Sequence, residues 1–250
     1  PMSYAPVNSI WRRLWVAVES DAVRVICIWL TACSLVKTLA VEIIAHRGAS
    51  YDAPENTLVA FTLGWQQGAD AVELDVHQTK DGRIAILHDP DTKRVSGRDL
   101  KVAQATLAEL RKLDLGSWKN KIWAAERMPA LETTLALMPM GKRLFVEIKC
   151  GPEILPELEN SLRVSGRKTQ EMVIIGFSLE TMRQAKTKFP ECQVYWLSSF
   201  KKDKTSGAWT PSADELVKLA VEAKLDGLDL KAETEVLDAA FTQKVKALQG

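Results

Sequence analysis

Histidine is scarce in this chain of 250 residues: there are three, at positions 46, 77 and 88. The four cysteines, Cys27, Cys33, Cys150 and Cys192, include no Cys-x-x-Cys pair and do not cluster with histidine. That excludes a zinc module of the usual spacing and gives no framework for a disulfide-stapled fold. An excess of one charge is also missing. Lys and Arg total 33 against 32 Asp and Glu, for a net charge of +1, so bulk electrostatics argue against nucleic acid as a partner. There is no internal repeat and no low-complexity tract, and nothing in the composition bears on oligomeric state. What is present is apolar material, 46% of residues, enough for a large core and within reach of a single α/β barrel.

The segment 1–40 reads as an N-terminal extension, separate from a domain over 41–250. Its apolar stretch AVRVICIWLTACSLVKTLAVEIIA (22–45) is broken by Arg24, Ser34, Lys37 and Glu42, too often for a membrane span. Arg24 ahead of Val25–Leu30 has the layout of an export signal, and Leu30-Thr31-Ala32-Cys33 is similar to a lipidation site. Trp11, Trp15 and Trp29 suit an interface-seeking segment. The expectation is export or association with the cell envelope, with this segment as the membrane contact. The alternative is a cytoplasmic protein whose first helix covers the barrel floor.

From residue 41 onward, short β-branched runs end in polar residues: VEIIAH (41–46), AVELDVH (71–77), RLFVEIK (143–149), MVIIGF (172–177), QVYWL (193–197) and LDGLDL (225–230). Helical patterns lie between them, at 56–67, 178–188 and 212–223. Strands apolar throughout, alternating with amphipathic helices, predict a parallel sheet buried on both faces, and six of them predict a (β/α) barrel rather than a sandwich. Asp81-Gly82 between AVELDVH and RIAILH signals a hairpin rather than a crossover. The stretch 89–141, with a helix expected over 106–113, reads as an insertion after the second strand plus the helix leading to the third. Lys201-Lys202-Asp203-Lys204 reads as a solvated loop.

In a parallel barrel the chemistry sits at the carboxyl ends of the strands. His46 and Arg47 end the first. Glu73 and Asp75 share one face of the second, and Glu147 and Lys149 repeat that spacing on the third. His88 ends the hairpin strand. Each has an ordinary alternative: Glu73 and Asp75 on an exposed edge strand, Lys149 as a structural partner of Glu147, Arg47 paired with Glu55, His88 as a turn residue. Their joint placement at successive strand ends favours a site. Charges inside β-branched strands are costly unless paired or bound to metal. Three carboxylates offer oxygen ligands suited to Ca²⁺ or Mg²⁺. A metal, two cations and two histidines together suit a phosphate ester. His77 continues the Glu73 and Asp75 face in a rim or structural role. Ser178 and Asp229 also end strands, without a clear partner.

The chain resembles the glycerophosphodiester phosphodiesterase family through HRGAS (46–50), PENT (54–57), AF (60–61), GADAVELDV (68–76), TKDGRIAILHD (79–89), MPALE (128–132) and FVEIK (145–149). The resemblance implies a TIM-type barrel that hydrolyses small-molecule glycerophosphodiesters to an alcohol and sn-glycerol 3-phosphate. It implies a divalent metal on Glu73, Asp75 and Glu147, and His46 with His88 as the acid/base pair. It also implies that Arg47 and Lys149 contact phosphate or glycerol, and that Glu55 and Asn56 border the site as substrate-binding positions. The family usually continues through two more strand–helix units beyond LDGLDL, so a barrel without them is expected here, with its first and sixth strands needing cover. The rival readings are a phospholipase D-like or sphingomyelinase-like lipid phosphodiesterase and a non-catalytic phosphate- or lipid-binding barrel. The acid/base pair speaks against the last of these.

Overall fold

A computed structural model of the chain describes residues 42–247. The export, lipidation and helix readings of the N-terminal extension lie outside those residues. Among the described residues no helix is long and apolar enough to cross a membrane.

The first strand, β1 (Ile44–Ala45), is shorter than its apolar run, because only these two residues find partners, Ala71 and Val72 of the next strand. Helix α1 (Leu58–Gln66) starts at Thr57, whose Oγ1 accepts from the Ala60 N–H, and buries Phe61 and Trp65. Strand β2 (Ala71–Gln78) is buried along nearly its whole length. The Asp-Gly turn then sends the chain back as β3 (Ile84–Ile86), antiparallel to β2 with Val76 opposite Ile86. The Thr79 N–H donates to Arg83 O at 2.9 Å and its Oγ1 accepts from the Arg83 N–H.

The insertion that follows is mostly short turns: α2 (Lys93–Ser96), α3 (Leu107–Leu110) and two 3₁₀ turns. The helix expected over 106–113 is therefore one turn. Thr106 and Glu109 close a capping box at its start. Just past its end, the Asp114 carboxylate accepts from the Gly116 and Ser117 N–H groups, and those bonds form a turn instead of extending the helix. The insertion has its own small core, in which Leu87, Val95, Val102, Leu110, Leu113, Leu115 and Met128 pack together.

Helix α4 (Leu131–Leu137) leads to β4 (Arg143–Ile148). Then come α5 (Leu155–Ser165), β5 (Met172–Gly176), α6 (Leu179–Lys188) and β6 (Gln193–Ser198). Lys201–Lys202 is not a loop: it is β7, paired antiparallel with β8 (Trp209–Thr210) in a separate ribbon. Helix α7 (Ala213–Glu222), β9 (Gly227–Leu230) and α8 (Ala239–Ala247) follow. The main sheet runs β1-β2-β4-β5-β6-β9, six parallel strands as the apolar runs predict, with β3 beside β2. This is the strand and helix alternation of a TIM-type barrel. Among the described residues, β1 and β9 stand at the two ends of that order and do not pair with each other.

Side-chain alternation gives the sheet two apolar faces. Val72, Leu74, Val76, Leu144, Val146 and Ile174 pack outward against Phe61, Leu131, Leu158 and Met182 of the helices. Ala71, Phe145, Val173 and Ile175 face inward with Tyr195 and Leu197. Glu73 and Asp75 of β2 and Glu147 of β4 belong to the inward set, beyond Ala71 and Phe145 toward its carboxyl end.

Candidate active site

The loop AHRGASYDAPENT folds back on itself through three left-handed residues: Arg47 (φ 58°), Gly48 (φ 79°) and Asn56 (φ 59°). A Cβ on Gly48 would lie 2.5 Å from the Ala60 backbone carbon, so only glycine lets the loop lie against α1. The Asn56 N–H donates to Arg47 O at 3.1 Å, closing the loop. Left-handed backbone at two non-glycine residues is costly and tends to mark functional sites. Here it turns the Arg47 N–H toward Glu73 Oε2, which accepts it at 2.8 Å.

Glu73 and Asp75 do not lie on an exposed edge: β2 runs between β1 and β4, and both side chains are buried. Asp75 stands directly opposite Glu147 in the β2–β4 register. One oxygen from each of Glu73, Asp75 and Glu147 lies within 4.8 Å of the others. Like charges placed so close are destabilising without a cation among them. Burial, with Asp75 and Glu147 nearby, raises the Glu73 carboxyl to about 8. Burial also raises Glu147. The cations present only partly offset this. Lys149 Nζ donates to Glu147 Oε1 at 2.8 Å and sits 3.5 Å from Asp75 Oδ1, and Arg47 Nε is 3.4 Å from Asp75 Oδ2. Glu73 Oε1 and Asp75 Oδ1 are buried without a hydrogen-bond donor. Unsatisfied buried oxygens on an all-carboxylate set fit a hard divalent cation.

His46, Arg47, Glu73, His88, Glu147 and Lys149 line one cavity of about 500 Å³. Phe145, Ile175, Phe177 and Leu197 form its apolar side, and Asp229 and Lys231 its far rim. The His46 side chain is 66% exposed, with Nε2 4.0 Å from Glu73 Oε2. Partial burial, Arg47 and His88 all lower its pKa, which keeps the ring neutral near pH 7. His88 is held differently: its Nδ1 lies 2.7 Å from Asp89 Oδ1. Arg94 and His88 hold the Asp89 carboxyl down at about 2, so Asp89 accepts and Nδ1 carries the proton. Nε2 of His88 is left for the cavity.

The loop and the adjacent strand ends thus bring together the nine candidate catalytic, substrate-binding and metal-ligating residues, in two layers. Glu55 and Asn56 do not line the cavity. Glu55 accepts from Arg47 Nη1 at 3.0 Å. Asn56, 2% exposed, gives its Nδ2–H to Asp75 Oδ2 and accepts the Asp75 N–H on Oδ1. Both ordinary alternatives for the cations hold as well: Arg47 pairs with Glu55, and Lys149 with Glu147. His77 is buried, its Nε2 3.1 Å from His88 O. Ser178 caps α6. Asp229 reaches the cavity, which its place at a strand end suggests, and burial raises its pKa. Asp89 and Arg94 were not legible. Arg94 sits in a one-turn helix with no periodicity, and it meets Glu55 from 39 residues away.

Comparison with known proteins agrees with the geometry. The chain is 36% identical over 158 residues to a glycerophosphodiester phosphodiesterase of Caldanaerobacter subterraneus subsp. tengcongensis, which covers 61% of this chain and 64% of that one. It is 31% identical over 156 residues to one of Bacillus subtilis, covering 56% and 53%. The chain thus spans between about half and two thirds of the length of these curated relatives. Among solved structures, an Oleispira antarctica phosphodiesterase in complex with the product sn-glycerol-3-phosphate superposes with a TM-score of 0.71 at 27% identity, over 83% of this chain and 81% of that one. A Thermotoga maritima glycerophosphodiester phosphodiesterase gives a TM-score of 0.62 at 26% identity, over 82% and 83%. The model of the Glycerophosphoryl diester phosphodiesterase family matches residues 46–247, from His46 through the last described helix. With its acidic cluster, paired histidines and paired cations at the carboxyl end of a parallel sheet, the chain belongs to that family.

Proposed function

We propose that this protein hydrolyses glycerophosphodiesters to an alcohol and sn-glycerol 3-phosphate, with Ca²⁺ or Mg²⁺ as cofactor. The observation that carries the reading is the cavity itself, where Glu73 and Glu147 of the buried three-carboxylate cluster, two histidines of different environment and two cations face one space. The product named for the Oleispira antarctica relative, sn-glycerol-3-phosphate, supports the substrate class. Glu73, Asp75 and Glu147 would hold the cation, which supplies charge neutralisation at the phosphoryl oxygens. Arg47 and Lys149, placed on the cavity wall, bind the anionic diester. Glu55 and Asn56 act from behind, one fixing Arg47 and the other Asp75.

His46 takes the proton from the nucleophile, either water, which gives glycerol 3-phosphate directly, or the glycerol 2-hydroxyl, which gives a cyclic phosphate that a water then opens to glycerol 3-phosphate. Its neutral ring is ready to accept, and Arg47 beside it holds the anion in line. His88 gives a proton from Nε2 to the departing alcohol oxygen, and Asp89 at Nδ1 matches the charge of the doubly protonated ring. The test is release of glycerol 3-phosphate from glycerophosphocholine with each cation and with chelator. Turnover should need the cation, and Glu73→Gln should lose cation binding and turnover together. Full turnover in excess chelator would reject the cation, and no release under any condition would reject the substrate class.

A further inference from the structure

The chain leaving β3 turns through Asp89 and Pro90 into α2, and Arg94 on that turn links charges that end on both walls of the cavity. Its Nη1–H donates to Glu55 Oε2 at 2.9 Å, its Nη2–H to Glu55 Oε1 at 2.8 Å, and its Nε–H to Asp89 Oδ2 at 2.7 Å. Asp89 turns its other oxygen to His88 Nδ1 at 2.7 Å. Glu55 Oε1 also accepts from Arg47 Nη1 at 3.0 Å. The guanidinium carbon of Arg94 lies 5.8 Å from the centre of the Trp118 ring, so the indole backs the planar group. Arg94 itself does not line the cavity. Its side chain is 40% exposed, so these ion pairs add little to stability. What a rigid fork bonded to two carboxylates contributes is geometry, and the point charge of a lysine cannot reproduce it.

We propose that Arg94 is a positioning residue for the phosphodiester reaction: it holds Asp89 on His88 and Glu55 on Arg47 at once. One side chain outside the cavity thereby sets the proton-transferring ring and the anion-binding guanidinium relative to each other. The proposal rests on the functional reading above.

The test compares Arg94→Ala, Arg94→Lys, Asp89→Asn and the Arg94→Ala/Asp89→Asn double variant on glycerophosphocholine and on a nitrophenyl glycerophosphodiester. Arg94→Ala and Arg94→Lys should each lower kcat on glycerophosphocholine about 10- to 100-fold, the usual scale for losing a group that orients a reacting one. KM should rise as Arg47 loosens. The kcat loss should shrink on the nitrophenyl ester, whose leaving group needs no proton. The double variant should be no worse than the poorer single one, because the two act through each other. A readout free of turnover is the ¹⁵N imidazole spectrum at a pH where the rings are neutral: the neutral form of His88 should be the Nδ1–H tautomer in the wild type and a tautomer mixture in Arg94→Ala. Wild-type kcat and KM in Arg94→Ala, multiplying losses in the double variant, or an unchanged His88 tautomer would each overturn the proposal. If the wild type itself released no glycerol 3-phosphate, the functional reading would fall, and the spectrum alone would decide whether Arg94 sets His88.

Discussion

Asp75 has no solvent exposure, and only one of its carboxylate oxygens is hydrogen-bonded. The Asn56 amide meets it twice, at side chain and backbone. Asn56→Ala should therefore leave the fold standing and weaken Ca²⁺ or Mg²⁺ binding about 10- to 100-fold, the usual effect of losing a group that orients a ligand. Calorimetric titration measures it, and unchanged affinity would detach Asn56 from the cation site. The two histidines differ at the same scale. His46→Ala should stay inactive on both glycerophosphocholine and a nitrophenyl diester. His88→Ala should lose about 10²- to 10⁴-fold on the first and recover much of it on the second, because a low-pKa leaving group needs no acid. Equal losses on both esters for both variants would end this division of labour. Residues of this kind were legible in the sequence because a charge or imidazole ending a β-branched strand needs a reason. Asp89 and Arg94 were not, since their roles depend on how an irregular insertion folds back on the loop after β1.

The loop between β1 and α1 is the element on which the site depends most. Its left-handed turn at Arg47 and Gly48 sets the Arg47 N–H on Glu73, and Gly48 touches the α1 backbone with no room for a side chain. Gly48→Ala adds a left-handed alanine to an overlap with Ala60. Together these should cost about 2–4 kcal/mol, read as a lower urea midpoint. Activity should fall further than stability, because Arg47 and His46 move with the loop. An alanine variant as stable as the wild type would show that the loop relaxes freely. Elements with strong signals were read closely: four of the six parallel strands lie within their apolar runs and the other two, β2 and β6, run one residue past theirs, and α6 and α7 match to within a residue at each end. The reading failed where the backbone leaves the periodic pattern: past Leu110 the Lys112 and Leu113 N–H groups bond only three residues back, to Glu109 and Leu110, and a ribbon pairs the loop-like Lys201 and Lys202 with Thr210 and Trp209.

The whole molecule carries the cluster as a pH-dependent load. Without a cation the folded state keeps the Glu73 proton up to about pH 8, whereas the unfolded chain releases it near the ordinary carboxyl value. The folded protein binds more protons across that interval. This group's stabilising contribution is therefore complete at low pH and is lost as pH rises toward 8. Cation binding must displace the proton, so the two effects run in opposite directions. With chelator, Tm should fall between pH 6 and 8, and the gain in Tm from added Ca²⁺ or Mg²⁺ should grow over the same range. A gain independent of pH would mean that the cation does not meet Glu73.

The small core of the insertion, Leu87 to Met128, is separate from the barrel core and joins the sheet through the β2–β3 hairpin. That makes it an exchangeable cassette. Most of its hydrophobic interior travels with it, Ala85 and Leu87 alone staying with the hairpin, so segment 89–128 can be replaced by its counterpart from a relative without repacking the helices around the sheet. The graft would leave His46, Glu73, Asp75 and Glu147 where they are and would replace the hand that steers His88. Rewriting that one appendage would move His88, through Asp89, and Arg47, through Glu55, together, while the three carboxylates stay on the sheet.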